Sequence, residues 1–97
     1  MTDIPTPKIS EILNEEFMQP FNLSAYTLAR RIGVPTSRIQ AILHDRRKIT
    51  VDTSVRLGRF FGVSDRYFLN LQNDVDIRNA KNKRGETYNQ IERLQLN

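Results

Sequence analysis

The chain has 97 residues, a formal charge of +4 and no cysteine, which suits one compact core with a tail and excludes disulfides, thiol chemistry and cysteine-ligated zinc or iron–sulfur centres. No apolar run approaches the roughly 18 residues that cross a bilayer, and the opening MTDIPTPKIS carries neither the basic nor the apolar stretch of an export signal, so the expectation is a cytoplasmic protein with no membrane partner. Charge is unevenly spread, at −3 over residues 1–29, +6 over residues 30–66 and +1 over residues 67–97, and a positive field confined to the middle segment points to a polyanionic partner.

Helical signals follow one another along the chain. Thr6 and Pro7 read as a cap and a first-turn proline, followed by Ile9, Ile12, Leu13 and Phe17 at helical spacing, with Glu11, Glu15 and Glu16 on the other face; this helix is expected to end before Pro20. Ser24 can cap a second helix reaching about Ile32, where Gly33 supplies the left-handed conformation that stops it. Pro35 suits the first position of a third helix that runs to about Leu43. After the loop HDRRKIT, Thr50 can cap a fourth helix with Val55, Leu57, Gly58, Phe60 and Phe61 inward and Gly62 at its end. Ser64 can cap a fifth carrying Tyr67, Phe68, Leu69 and Leu71, able to continue through Ile77 and Ala80 until Gly85 interrupts it. Beyond it, Tyr88, Ile91 and Leu94 would line one narrow stripe of a further helix that needs a partner surface. No segment alternates long enough for a strand, so the fold class is all-α.

The stretch AYTLARRIGVPTSRIQAILH carries the strongest motif. Counted from Ala25, the fourth, fifth, eighth, ninth, tenth, fifteenth and eighteenth residues are Leu28, Ala29, Ile32, Gly33, Val34, Ile39 and Ile42. Two short helices crossing at a tight turn require this pattern: apolar positions for a shared core, a small residue where the second helix passes above the first, and a glycine for positive φ. The pattern is that of a helix-turn-helix, whose second helix presents its first residues to a major groove. Thr36, Ser37, Arg38, Gln40, Ala41 and His44 are therefore the expected base-contacting residues, with Arg38 suited to guanine and Gln40 to adenine. Ser24, at the start of the second helix, and Arg46, Arg47 and Lys48, in the loop after the third, are the expected phosphate contacts. Arg56 and Arg59 read either as further phosphate contacts or as surface charges of the fourth helix.

With these residues in view, the chain resembles the HigA-type antitoxins, a branch of the phage-repressor-like (XRE) helix-turn-helix proteins. The likeness runs over about residues 8–80, through KISEILNEEF and LSAYTLARRIGVPTSRIQAILHDRRKITVDTSVRLGRFFGVSDRYFLNLQNDVDI, and ITVDTSVRLGRFFGVSDRYFLNLQ is its most distinctive part. Members of the family typically have His-Pro-Gly-Glu before the first helix, Trp where Phe68 stands and Ala where Gly58 stands. Gly58 is expected to cost up to about 1 kcal/mol against that alanine. The resemblance implies a five-helix lambda-repressor-like bundle, with residues 1–73 as the DNA-binding domain and residues 74–97 as a C-terminal extension for dimer or toxin contact. It also implies a homodimer that binds double-stranded operator DNA, represses its own operon and neutralises a cognate RelE-like, mRNA-cleaving toxin.

Enzymatic function is not expected. The chain has one histidine, His44, and no glycine-rich phosphate loop, while Glu11, Glu15 and Glu16 fit a polar helix face better than an acid–base pair; no cofactor or metal is implied. The competing readings are a phage-type or metabolic repressor with no toxin partner, and a protein-binding module that has lost DNA contact. The second would be expected to have an eroded basic loop, and Arg46-Arg47-Lys48 is intact.

Overall fold

Residues 7–95 are described by the computed structural model; Thr6, expected to cap the first helix, lies outside them. α1 (Ile9–Ile12) runs on into a π-helical turn (Leu13–Met18) and a 3₁₀ turn (Gln19–Phe21). The widened turn has a packing reason. The buried residues Ile9, Leu13 and Met18 are spaced by four and then five, and the extra residue keeps Met18 facing the core. Phe17 remains half-buried beside it, with its ring centroid 4.8 Å from that of Phe68 and 5.1 Å from that of Phe61. Pro20 does not end the segment as expected, because it falls at the start of the 3₁₀ turn, where a missing N–H leaves no bond unmade. The chain turns out only at Asn22, which is left-handed at φ 53°.

α2 (Ala25–Ile32) and α3 (Thr36–Leu43) follow. The Ser24 hydroxyl caps α2 by accepting the Thr27 N–H at 3.1 Å. Gly33, at φ 76°, closes it, with the Val34 N–H donating to the Ala29 carbonyl at 3.0 Å. Pro35 stands one residue before α3 rather than within it: its extended backbone (ψ 144°) leaves its carbonyl to accept the Arg38 N–H at 3.0 Å. α4 (Val51–Phe61) is capped by Thr50 and ends at Gly62, at φ 74°.

α5 spans Tyr67–Asn89. Ser64 does not cap it as expected: the helix begins only after Arg66, and the Ser64 hydroxyl accepts the Arg66 N–H at 3.1 Å in the turn before it. The first-turn amide of Leu69 is instead taken by the buried Ser54 hydroxyl at 3.0 Å, which itself donates to the Asp65 carbonyl at 2.6 Å. The expected break at Gly85 falls one residue earlier: at Arg84 the backbone leaves helical values (φ −130°, ψ 25°), and α5 is two helical pieces joined across this kink. The helical piece after the kink, residues 85–89, holds Tyr88 but stops short of the rest of the expected stripe: Ile91 and Leu94 lie beyond it at 73% and 83% exposure, and with no facing surface to cover it a longer helix has nothing to offset its ordering cost.

Among the described residues there is no strand. The core gathers Leu13, Leu28, Ala29, Ile39, Ile42, Ile49, Leu57 and Phe68. α5 is anchored there by Phe68 and Gln72 and then projects outward, which explains a radius of gyration of 16.6 Å against about 13 Å for a compact chain of this length.

Gly58 has a reason that propensity conceals. A Cβ there would lie 2.6 Å from the Ser64 carbonyl oxygen, so the turn between α4 and α5 occupies the space an alanine would need. The expected gain of about 1 kcal/mol from alanine is overridden. Gly58→Ala is expected to lower stability by about 1–3 kcal/mol, read as a reduced midpoint in urea unfolding; an unchanged or raised midpoint would show that the turn yields freely.

Candidate nucleic-acid interface

α3 divides cleanly into two faces. Ile39 and Ile42 are buried in the core, while Ser37, Gln40 and His44 are exposed and Ala41 is half-buried beside them. Positions 37, 40, 41 and 44 fall on one helical stripe. Thr36, the first residue of α3, is half-buried. A short helix with one face locked in the core and a stripe of uncharged, mostly polar side chains on the other is a surface that can enter a groove.

Arg38 stands apart from that stripe. Its Nη1 donates to the Asp52 carboxylate on α4 at 2.7 Å, and its side chain is only 23% exposed. Asp52 also accepts from the Arg56 Nε at 3.0 and 3.1 Å. Arg56 then reaches back to the end of α2, its Nη1 donating to the Ile32 carbonyl at 2.9 Å, a carbonyl that the helix itself leaves without a partner. One carboxylate thus joins the end of α2, the start of α3 and the body of α4. Hydrogen bonds from Arg38, then from Arg56, hold the Asp52 carboxyl below the usual carboxylate range. Arg59 makes a two-pronged pair with Asp65 at 2.8 and 3.1 Å, and its guanidinium likewise holds that carboxyl low. Arg56 and Arg59 are therefore committed within the protein.

The basic loop is fixed from the other side. α3 ends with Asp45 left-handed at φ 60°, the Arg46 N–H donating to the Ala41 carbonyl at 2.8 Å and the Asp45 N–H to the Ile42 carbonyl at 3.2 Å. Ile49 is buried, and its N–H donates to the buried Gln72 Oε1 at 3.1 Å. Gln72 Nε2 donates to Asp76, whose other oxygen accepts from Lys48 at 3.1 Å. Arg46 and Arg47 are exposed and form no ion pair among the described residues. Lys48 shares its charge with Asp76, and Ser24 is exposed at the α2 N-terminus with its hydroxyl engaged in capping.

Sequence reasoning missed Asp52, Gln72 and Asp76. Gln72 carried a signal, lying one helical turn after the inward Phe68. Asp52 carried half of one: Arg56 lies four residues further along the same helix, a spacing that pairs opposite charges, whereas Arg38 is 14 residues away in the chain.

A helix-turn-helix family model matches residues 15–68. Among curated proteins, virulence-associated protein I of Dichelobacter nodosus is 40% identical over 79 residues, covering 81% of this chain and 73% of that one. Among solved structures, an addiction module antidote protein of a HigA family from Coxiella burnetii is 37% identical with a TM-score of 0.84, over 94% of this chain and 100% of that one. The Pseudomonas aeruginosa antitoxin HigA, solved with the higBA promoter, is 32% identical with a TM-score of 0.84, over the same shares.

The Asp52 and Asp65 pairs set a pH dependence. Both carboxyls ionise below their unperturbed value of 3.8, so the stabilisation they supply is complete above that value and is lost as pH falls through the lowered folded-state values. The side chains are solvent-exposed and screened, so the effect is modest. Urea midpoints compared at pH 7 and pH ~3 are expected to fall further for the unmodified chain than for Asp52→Asn; equal falls would mean that the Asp52 pairs do not persist in solution.

Proposed function

Since the chain belongs to the helix-turn-helix family and, within it, to the HigA-type antitoxins, we propose that it is an antitoxin and autorepressor that binds operator DNA as a homodimer and neutralises a RelE-like toxin. The observation that carries the DNA half is the outward stripe of α3, held in the core on one side and flanked by the two uncommitted arginines 46 and 47. α3 enters the major groove, where Thr36, Ser37, Gln40, Ala41 and His44 meet base edges. Gln40 is long enough to engage an adenine through two bonds, Ala41 offers a methyl to thymine, and Ser37 and His44 make single polar contacts. Ser24 with the first amides of α2, together with Arg46, Arg47 and Lys48, holds the phosphates on either side. The relative bound to a promoter supports this mode of use.

Chemistry is not part of this role. A repressor acts by occupancy and an antitoxin by covering its partner, and neither calls for a cofactor or metal. The toxin half rests on family membership alone. Residues 74–97 are the part proposed for dimer or toxin contact; of these, residues 74–89 belong to α5 and extend past its anchorage at Phe68 and Gln72. The compartment proposed is the cytoplasm, where DNA and ribosomes both lie.

Footprinting of the DNA beside its own gene is expected to reveal a palindrome with half-sites about 34 Å apart; protection of a single asymmetric site would exclude the dimeric mode. Arg47→Ala is expected to weaken operator and random duplex alike and to lower the salt slope by about 1, whereas Gln40→Ala relaxes choice at one base pair by about 1–3 kcal/mol. For the toxin half, co-expression with the product of the adjacent small reading frame is expected to restore growth and give a complex that co-purifies. Absence of both would leave a repressor without a toxin.

A further inference from the structure

Arg38 has the side chain most often used to read guanine and occupies the start of the helix placed in the groove, yet its functional atoms are turned away from that task. A guanine is read through two parallel N–H donors of one guanidinium fork. In this protein Nη1 is held by Asp52 at 2.7 Å, and Nε is buried with no hydrogen-bond partner among the described residues. The edge formed by Nε and Nη2 is therefore closed to a ligand, and the edge formed by Nη1 and Nη2 already has Nη1 bound to a carboxylate that a base would have to displace or share. The side chain also lies off the stripe formed by residues 37, 40, 41 and 44, toward α4. The carboxylate that holds it is itself held: Asp52 accepts twice from Arg56, and Arg56 closes the end of α2 through the Ile32 carbonyl at 2.9 Å.

We propose that Arg38 is a positioning residue rather than a base reader, and that the chain from Ile32 through Arg56 and Asp52 to Arg38 is a latch that fixes the angle of α3 against α2 and α4. Sequence choice then belongs to Ser37, Gln40, Ala41 and His44, with Thr36 at the helix start. This rests on the reading that α3 enters the DNA groove. Its consequence is that Asp52, an acidic residue beside a polyanion, aids specific binding instead of opposing it. An arginine that reads a base would behave in the opposite way, because removing Asp52 would release it to the DNA.

The test compares the unmodified full chain, Arg38→Ala, Asp52→Asn and the double variant, each measured on the footprinted operator, on every single-base-pair variant of it, and on random duplex. The quantity read is the ratio of operator to random affinity. Partial unfolding scales both affinities equally and leaves this ratio unmoved, and Asp52→Asn, at an exposed and nearly isosteric position, does not threaten the fold. With the latch, each single variant lowers the ratio by about tenfold, the double variant lowers it no further, and the loss is spread over all the base pairs read. The inference is overturned if Arg38→Ala abolishes preference at one base pair only while Asp52→Asn keeps or sharpens it, or if the two losses add. An unmodified chain with no preferred tract at all would overturn the DNA reading itself, and the latch with it.

Discussion

A single carboxylate holds the angle on which the rest of this surface depends. Asp52 is on α4, yet it accepts hydrogen bonds from Arg38 at the start of α3 and from Arg56, which in turn covers the last carbonyls of α2. The helix-turn-helix would otherwise be joined only by the few residues around Gly33 and by its apolar contacts. Exposed ion pairs add little to stability, about 0–1 kcal/mol each. Their value in this setting is geometric: two planar guanidinium groups sharing one carboxylate admit few relative orientations, and those orientations fix three helices at once.

The far end of α3 is held by different means. There the buried Ile49 and Gln72 tie the basic loop to α5, and Lys48 and Asp76 complete the connection at the surface. The reading stripe is therefore bounded by a polar latch at its beginning and a half-buried anchor at its end. Apolar packing supplies most of the stability that permits this: Leu28, Ile39, Ile42, Leu57 and Phe68 are all essentially inaccessible, and burial of such side chains is worth about 1.5–3 kcal/mol each before ordering costs. The polar connections select one arrangement among those the core would allow.

The same connections change the meaning of the positive charge. Counting residues assigns nine cations to the middle segment, as if all were available to a polyanion. In the folded chain Arg38, Arg56 and Arg59 are paired with Asp52 and Asp65 and Lys48 with Asp76, while Arg30, Arg31 and Arg66 are exposed with no carboxylate partner among the described residues, Arg31 lying 5.2 Å from the Phe60 ring centroid. Arg46 and Arg47 carry the charge that faces outward beside α3. The field is narrower than the composition suggests, and it is located where a duplex backbone would flank the reading helix.

By itself the sequence determined the helical class, the boundaries of α2 to α4 to within a residue, the turn at Gly33 and the outward positions of α3. Each of these is written locally, in capping hydroxyls, glycines of positive φ and apolar residues one turn apart. Tertiary structure alone decided the rest. The π-helical turn before Pro20, the clearance that keeps Gly58 a glycine and the withdrawal of Arg38 into a pair with Asp52 all depend on neighbours far along the chain. A local pattern records which face of a helix is apolar, whereas the partner of a charged side chain is set by which distant helix comes to lie beside it.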